Sequence, residues 1–596
     1  MLNSKLHILL TSFSLAFAAF LSTPAAYSAP GKQPNVVVFL SDDQGWGDLS
    51  SSGNSDLSTP NIDSLMKGGA SFDRFYVCPV CSPTRAEFLT GRHHARSGVY
   101  STSAGGERMD LDETTVADLF KAAGYRTGGF GKWHNGMQFP YHPNGRGFDE
   151  FYGFCSGHWG NYFDPMLEHN GRIVKGEGFC IDDFTDKAMD FIGDAVEKKK
   201  PFFAYLPYNT PHSPMQVPDK YWKRFSERPL KMDAGGKGKG GTDNHRRCAL
   251  AMCENLDWNV GRVLARLDKL GVAEDTIVVW FHDNGPNGAR WNGGMRGRKG
   301  STDEGGVRSP LYVRWPGKIK PGTEVPHISS SRDLLPTLCD LAAVPLKAAA
   351  LDGVSLKALL TGNSSTVAWP DRVLINHWKS RVSARSQNFR LDHSGKLYDM
   401  VADPGQTKAV NDKHPDLAAE LAGAIKKHKD AHMPGYGKDD RPFVIAHPGS
   451  PLTQLPARDA TATGKIKRSN RFPNCSYFSN WTSTDDEIKF TAEVATSGTY
   501  KVVLYYAAKS AGAKCELRFN DSALPFEISK AHDVPVSGGE HDRNPRMESY
   551  VKDFTAVSIG EIELEKGQGD LKLRALEIPG EEAFEFRLLL LERVDG

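Results

Sequence analysis

Val36-Val37-Val38-Phe39-Leu40 runs without a break into Ser41-Asp42-Asp43-Gln44-Gly45. Five consecutive apolar residues, with no polar alternation, suit a strand covered on both faces. Phe202-Phe203-Ala204-Tyr205-Leu206 and Ile277-Val278-Val279-Trp280-Phe281 have the same character. Amphipathic segments lie between such runs. One spans about 113–123, with Val116, Leu119, Phe120 and Ala123 on one face and Gly124 as its stop. A second spans about 183–197, with Phe184, Ala188, Phe191 and Ile192 inward. This alternation, from residue 35 to about 440, predicts an α/β domain on a large, mostly parallel sheet. Functional groups of such a sheet gather at the carboxyl ends of its strands.

Two of the apolar runs end in acidic or amide groups. The first leads into Asp42 and Asp43, the third into His282-Asp283-Asn284-Gly285. Either ending alone also suits an ordinary turn or cap. Together they supply three carboxylates and an amide oxygen, a hard set suited to Ca²⁺ or Mg²⁺ rather than zinc. A further cluster reads Cys81-Ser82-Pro83-Thr84-Arg85, followed by Thr90-Gly91-Arg92. Gly131-Lys132-Trp133-His134, the His212 of Thr210-Pro211-His212, and the Lys299 of Gly297-Arg298-Lys299-Gly300 add cations and imidazoles.

The Cys-x-Pro-x-Arg frame, with these companions in this order, resembles the type I sulfatases over roughly residues 34–440. The resemblance implies an alkaline-phosphatase-like α/β sandwich with a small C-terminal α+β subdomain. It implies that Cys81 is oxidised to formylglycine by a formylglycine-generating maturase, and that Asp42, Asp43, Asp283, Asn284 and residue 81 hold Ca²⁺, with Mg²⁺ open on ligand chemistry. It assigns Arg85, Lys132 and Lys299 to the sulfate oxygens, His134 to the base and His212, with Lys299, to the leaving oxygen; Lys132, His212 and Lys299 thus bind substrate. His282 stands where Ser is commoner in the family, which leaves the ligand positions intact. Cys78 gives a Cys-x-x-Cys spacing, but no second pair supports zinc.

At 596 residues more than one domain is expected. Lys and Arg number 73 against 72 Asp and Glu, a balance that excludes nucleic-acid binding through bulk charge. Lys5, an apolar run over 8–21 and small residues near 25–29 read as a cleavable export signal over 1–29, giving a secreted or periplasmic protein without a membrane anchor. The catalytic domain is expected over 30–370, its C-terminal subdomain over 371–440 and a linker over 441–464. From 465 to 596 the period becomes two: Tyr500, Val502, Leu504 and Tyr506 alternate, as do Leu571, Leu573 and Ala575, and Phe584, Phe586, Leu588 and Leu590. That predicts an all-β sandwich, resembling carbohydrate-binding modules or serving simply as a packed appendage. Without Cys81, eight cysteines remain, a number compatible either with disulfides or with buried apolar residues. The Gly- and Lys-rich stretch 235–241 lacks the ending of a phosphate-binding loop.

A sulfated carbohydrate is the expected substrate, favoured by the export signal, the β-region and the local cations Arg290, Arg296, Arg298 and Lys299. Aromatics of the expected loop 153–170 either set specificity by stacking on sugar rings or serve packing. The alternatives are a phosphoester hydrolase on the same fold and a non-catalytic, secreted glycan-binding protein.

Overall fold

The Val36–Leu40 run lies in strand β1 (Asn35–Ser41), every residue of which is buried. In the computed structural model, which describes residues 33–233, 242–362 and 367–594, β1 is the centre of an 11-stranded sheet. The expected signal segment 1–29 and the Gly- and Lys-rich stretch 235–241 lie outside the described residues. The other main strands are β2 (Ala70–Tyr76), β3 (Arg126–Lys132), β4 (Glu150–Phe154), β5 (Met166–His169), β6 (Arg172–Lys175), β7 (Phe202–Pro207), β8 (Thr276–His282), β9 (Arg308–Arg314) and β10 (Thr323–Val325). Their order is β10-β2-β9-β8-β1-β7-β3-β4-β5-β6. The five from β8 to β4 are parallel, and antiparallel pairs flank them on both sides.

Alternate residues of β1 enter different cores. Val36, Val38 and Leu40 pack on one side and Val37 and Phe39 on the other. That two-sided burial is why the run could carry no polar residue. The helices Cys81–Thr90 and Val116–Ala122 cover one face, and Cys180–Glu197 and Asp243–Lys269 the other. The first expected helix begins later than its apolar pattern suggested, because Thr115 and Asp118 form a capping box. The second begins earlier, at Cys180. The segment 153–170, expected to be loop, contains the end of β4 and all of β5.

A four-stranded antiparallel sheet (Leu374–Trp378, Arg381–Arg385, Phe389–Leu391, Leu397–Asp399) carries the helix Pro415–His432. It joins the main domain through Glu304, which is 1% exposed and accepts from Tyr76 Oη at 2.7 Å and from Arg390 Nη2 at 3.1 Å. Beyond it, two six-stranded sheets face each other around a core that includes Tyr500, Val502, Leu504, Leu571 and Leu573.

Two expectations are corrected here, and one left open, the state of the cysteines, is decided. The stretch 441–464 is not a linker: Phe443–Ile445 and Leu452–Pro456 are strands of the two sheets, and Ile445, Leu455, Ala457 and Ala460 lie in their core. Its Pro and Gly punctuation marks short strands and turns rather than a spacer. The alternation Phe584, Phe586, Leu588, Leu590 slips after Phe586. Tyr506 pairs with Phe586 and Tyr505 with Leu588, so Arg587 is an extra residue in a β-bulge, and Leu589 and Leu591 take the core positions. The nine cysteines are all free and buried, so the even count reflects apolar packing, not bridges.

Burial alone would raise the pKa of Glu304, but Arg385, Arg390 and Arg308 outweigh it and bring the value from 4.5 down to about 2. A depressed folded pKa contributes stability that is complete above the unfolded value and lost as pH falls through the folded one. Acid denaturation between pH 4.5 and about 2 should therefore shift on removing this group. Glu304→Gln is expected to cost about 3–5 kcal/mol at neutral pH, as for breaking one partner of a buried pair. Its stability should then be flatter across that acid window, as followed by urea denaturation at several pH values.

Candidate active site

Parallel register assembles the site. Ser41 pairs with His282, so the residues that follow each strand emerge together at the carboxyl edge. Asp42, Asp43, Asp283 and Asn284 are all fully buried there. The Asp43 backbone turns into the left-handed region (φ 61°), and its N–H donates to Asp283 Oδ1 at 3.1 Å. Asn284 Nδ2 donates to Asp43 Oδ1 at 2.8 Å. On the other side of β1, β7 leads to His212, and the Thr210 carbonyl accepts from the Asp42 N–H at 3.1 Å. Beyond β7, β3 ends at Lys132, with His134 two residues on. Four neighbouring strand ends thus deliver seven of the ten residues singled out in the sequence.

The helix Cys81–Thr90 supplies two more. Cys81 opens it and Arg85 lies one turn along on the same face. Arg85 is fully buried and forks, with Nη1 on the Lys132 carbonyl at 2.8 Å and Nη2 on Asp283 Oδ2 at 2.9 Å, 3.6 Å from Asp42 Oδ2. Lys132 Nζ pairs with Asp42 Oδ2. Lys299, the tenth, comes from the loop after β8 and pairs with Asp43 Oδ1 at 2.6 Å. His212 Nε2 lies 3.7 Å from Asp43 Oδ2. Ligand atoms of Asp42, Cys81 and Asp283 lie within 4.8 Å of one another, as do those of Asp42, Asp43 and His212.

The charge balance follows from burial. Burial alone would raise Asp42, yet Lys132, with His212, Arg85 and Lys299, holds it well below the usual carboxylate range. Asp43 is lowered in the same way, chiefly by Lys299. Asp283 is raised, by burial and by Asp42 beside it, in spite of Arg85. Asp42 Oδ1 and Asn284 Oδ1 are buried with no hydrogen-bond partner. Unpartnered buried oxygens beside three clustered carboxylates fit a hard divalent cation.

Burial raises the Cys81 thiol in spite of Lys132 and Lys299, so it stays protonated and is a poor nucleophile as a plain cysteine. His134 Nε2 is 2.9 Å from the Thr102 carbonyl, which can only accept, so Nε2 carries the hydrogen and Nδ1 a lone pair. Nδ1 is buried without a partner, and burial with Lys132 nearby keeps the ring neutral. His212 Nδ1 is held by the Ser213 carbonyl at 2.7 Å, which leaves Nε2 facing Asp43. Burial, then Lys299, lower its pKa.

Sequence reasoning missed three contributors. The His158 ring lies nearly parallel to that of His212, 5.9 Å between centroids at 14°. Thr102 fixes the His134 tautomer. Asn474, from the β-domain, donates to that same Thr102 carbonyl at 3.3 Å and accepts from Ser156 Oγ at 3.1 Å. His158 lies in the aromatic segment already noted, but its facing of His212 has no local signature, and the other two act through contacts distant in sequence. Conversely, two of the cations expected to attract substrate are engaged structurally. Arg290 pairs with Asp48 at 2.8 Å, and Arg296 with Asp303 at 2.7 Å and Asp392 at 2.8 Å.

Residues 34–344 match the family model "Sulfatase", and 299–431 match "N-sulphoglucosamine sulphohydrolase, C-terminal". The chain is 34% identical to arylsulfatase A of Homo sapiens over 470 residues, 68% of this chain and 88% of that protein. It is 32% identical to N-acetylgalactosamine-6-sulfatase of Mus musculus over 484 residues, 69% and 88% respectively. Among solved structures it is similar to Ps i-CgsB in complex with k-i-k-neocarrahexaose, with a TM-score of 0.62 and 29% identity over 68% of this chain and 95% of that one. Sulfatases generally depend on formylglycine and a metal ion, and the oxygen cluster beside Cys81 is arranged accordingly. The strand-end carboxylates, the helix-borne Cys81 and Arg85 and these likenesses lead to one assignment: the chain belongs to the sulfatase family and is a sulfuric ester hydrolase.

Proposed function

We propose that this sulfatase acts on a sulfated carbohydrate outside the cytoplasm, secreted or periplasmic, with Cys81 matured to formylglycine by a dedicated maturase. The observation that carries the reading is the placement of Cys81. Its sulfur lies among the oxygens of Asp42 and Asp283 and beneath Lys132 and Lys299, and burial holds it as a thiol. Lys132 and Lys299 favour a thiolate, but burial and the carboxylates of Asp42 and Asp283 outweigh them, which supports an oxidised residue 81 as the reacting group. The carbohydrate preference draws on the relatives, one named for N-acetylgalactosamine-6-sulfate chemistry and one solved with a neocarrahexaose. No helix among the described residues is long and apolar enough to cross a membrane.

Asp42, Asp43, Asp283, Asn284 and residue 81, from three backbone segments, would hold the cation, with Ca²⁺ preferred to Mg²⁺ by resemblance to the family. Formylglycine hydrate at residue 81 would offer a hydroxyl to the sulfur, and a cation held beside it would supply the polarisation that makes such a hydroxyl nucleophilic near neutral pH. Arg85, Lys132 and Lys299 offset the charge that develops on the non-bridging sulfate oxygens. His212, when protonated at Nε2, and the Lys299 ammonium face the leaving oxygen and supply its proton. His134 accepts a proton at Nδ1 from residue 81, its tautomer set by Thr102.

Peptide mass spectrometry of protein co-produced with a maturase should show formylglycine at position 81, and the matured enzyme should release sulfate from a sulfated sugar. Unmodified Cys81 with no turnover in the presence of a competent maturase sinks the proposal, and release of phosphate alone from a matching phosphate panel redirects it to a phosphoester hydrolase. Ca²⁺ at a hundred times its Kd should stabilise the protein by about 2.7 kcal/mol, read as a rise in Tm that EDTA reverses. Asp43→Asn should abolish that rise, and an equal response to Mg²⁺ would argue against the Ca²⁺ preference. Arg85→Lys retains the charge but loses the fork between the Lys132 carbonyl and Asp283. Its kcat/KM is expected to fall by about 10²–10³-fold, on the scale of losing one preorganised donor.

A further inference from the structure

A cavity of about 510 Å³ lies between the β4–β6 edge of the catalytic sheet and the β-domain. Trp159, Phe163, Tyr505 and Phe554 line it, with Lys175 and Arg587. Half-buried aromatic rings with a few placed polar groups are what a sugar site offers.

Arg587 is the unusual member. It is the extra residue of the bulge in the strand Glu585–Arg593, so its side chain is diverted from the ladder. It is 5% exposed, and among the described residues no carboxylate forms an ion pair with it. A buried guanidinium without a counter-ion is costly and seldom retained without a partner. Nη1 donates to the Ser476 carbonyl at 3.0 Å, the Cys475 sulfur is beside it, and the guanidinium carbon lies 5.7 Å from the centre of the Trp159 ring. These contacts hold the group in place and leave N–H donors of the five-donor fork for a ligand. The other charges around the cavity do not neutralise it. Lys552 is paired with Glu585 at 2.6 Å, and Asp164, Glu540 and Asp553 are exposed at the rim.

One short segment of chain links the wall of the cavity to the reaction centre. His158 faces His212, and the next residue, Trp159, lines the cavity. Cys475 Sγ donates to the His158 carbonyl at 3.2 Å, while its neighbour Asn474 reaches the Thr102 carbonyl that orients His134. Arg587, Tyr505 and Phe554 lie outside the residues that the family models match, 34–344 and 299–431.

We propose that this cavity is a second saccharide subsite that binds an anionic sugar residue adjoining the one whose sulfate ester is cleaved, with Arg587 as its anion-recognising group. The proposal rests on the carbohydrate reading above and makes the β-domain a wall of the substrate site.

The test uses unmatured protein, which retains Cys81 and cannot turn over, titrated calorimetrically with three tetrasaccharides. One is ι-carrageenan, anionic through sulfate; one is unsulfated chondroitin, anionic through uronate; one is neutral agarose. At least one anionic probe should bind saturably and the neutral one should not, and the probe that binds identifies the anion. Arg587→Met is expected to weaken that binding by about tenfold or more, as for loss of a charged hydrogen bond. Lys175→Glu, at an exposed position, should weaken it about threefold, and Arg587→Lys should restore part of the loss. If Arg587→Met fails to fold, Lys175→Glu and Arg587→Lys decide. Binding of neither anionic probe, or binding insensitive to these variants, overturns the subsite. Sulfate release by the matured wild type from a sulfated monosaccharide separates this outcome from failure of the carbohydrate reading: release without tetrasaccharide binding removes only the subsite, and no release from any sugar removes the reading on which it rests.

Discussion

Three carboxylates buried at one end of a parallel sheet are the constraint around which this molecule is arranged. Asp42, Asp43 and Asp283 have no access to water, and the β1–β8 register fixes them side by side. Left alone they would repel and protonate. Each is met by a cation from a different part of the chain: Lys132 for Asp42, Lys299 for Asp43 and Arg85 for Asp283. Asp42 Oδ1 and Asn284 Oδ1 remain without a hydrogen-bond partner, as suits a site for a divalent ion. On the proposed reading the cations that balance the carboxylates would also meet the sulfate group, so stability of the site and recognition of the substrate would draw on the same charges.

That arrangement explains why residue 81 needs chemistry beyond a thiol. The helix N-terminus and two lysines would ordinarily favour a thiolate, but complete burial and the carboxylates of Asp42 and Asp283 oppose it. On the proposed reading these surroundings suit an oxygen nucleophile between a cation and a base. His134 completes the base side only because the Thr102 carbonyl fixes its tautomer, and Thr102 is in turn bonded by Asn474 from a region 372 residues away in the chain. The β-domain therefore reaches the catalytic centre directly. Arg458 extends the same contact, pairing with Glu107 while it holds Asn474 at 3.0 Å.

The β-domain also shows how local irregularity can serve a distant site. One bulge, opposite Tyr505 and Tyr506, shifts the inward register of the last strand and frees Arg587 from the ladder. The strand pays no packing penalty, since Leu589 and Leu591 restore the core. A strictly alternating strand could not have placed a guanidinium there.

What the sequence determined by itself is whatever depends on neighbours along the chain. The unbroken apolar runs dictated two-sided strands, and the acidic and amide residues directly after them led to the expectation of a hard-cation site at the strand ends. The Cys81–Arg85 frame, with Lys132, His134, His212 and Lys299 in order, pointed to the family because each motif is short and contiguous. Only the tertiary structure decided which strand lies beside which, and therefore which cation meets which carboxylate. Only it placed His158 against His212 and brought Asn474 to Thr102. It likewise turned an apparent linker at 441–464 into sheet and core, and left all nine cysteines unpaired. Strand pairing across hundreds of residues and one-residue register slips leave no periodic trace in the chain. They are set by how two separately patterned surfaces fit, and that fit exists only once both have folded.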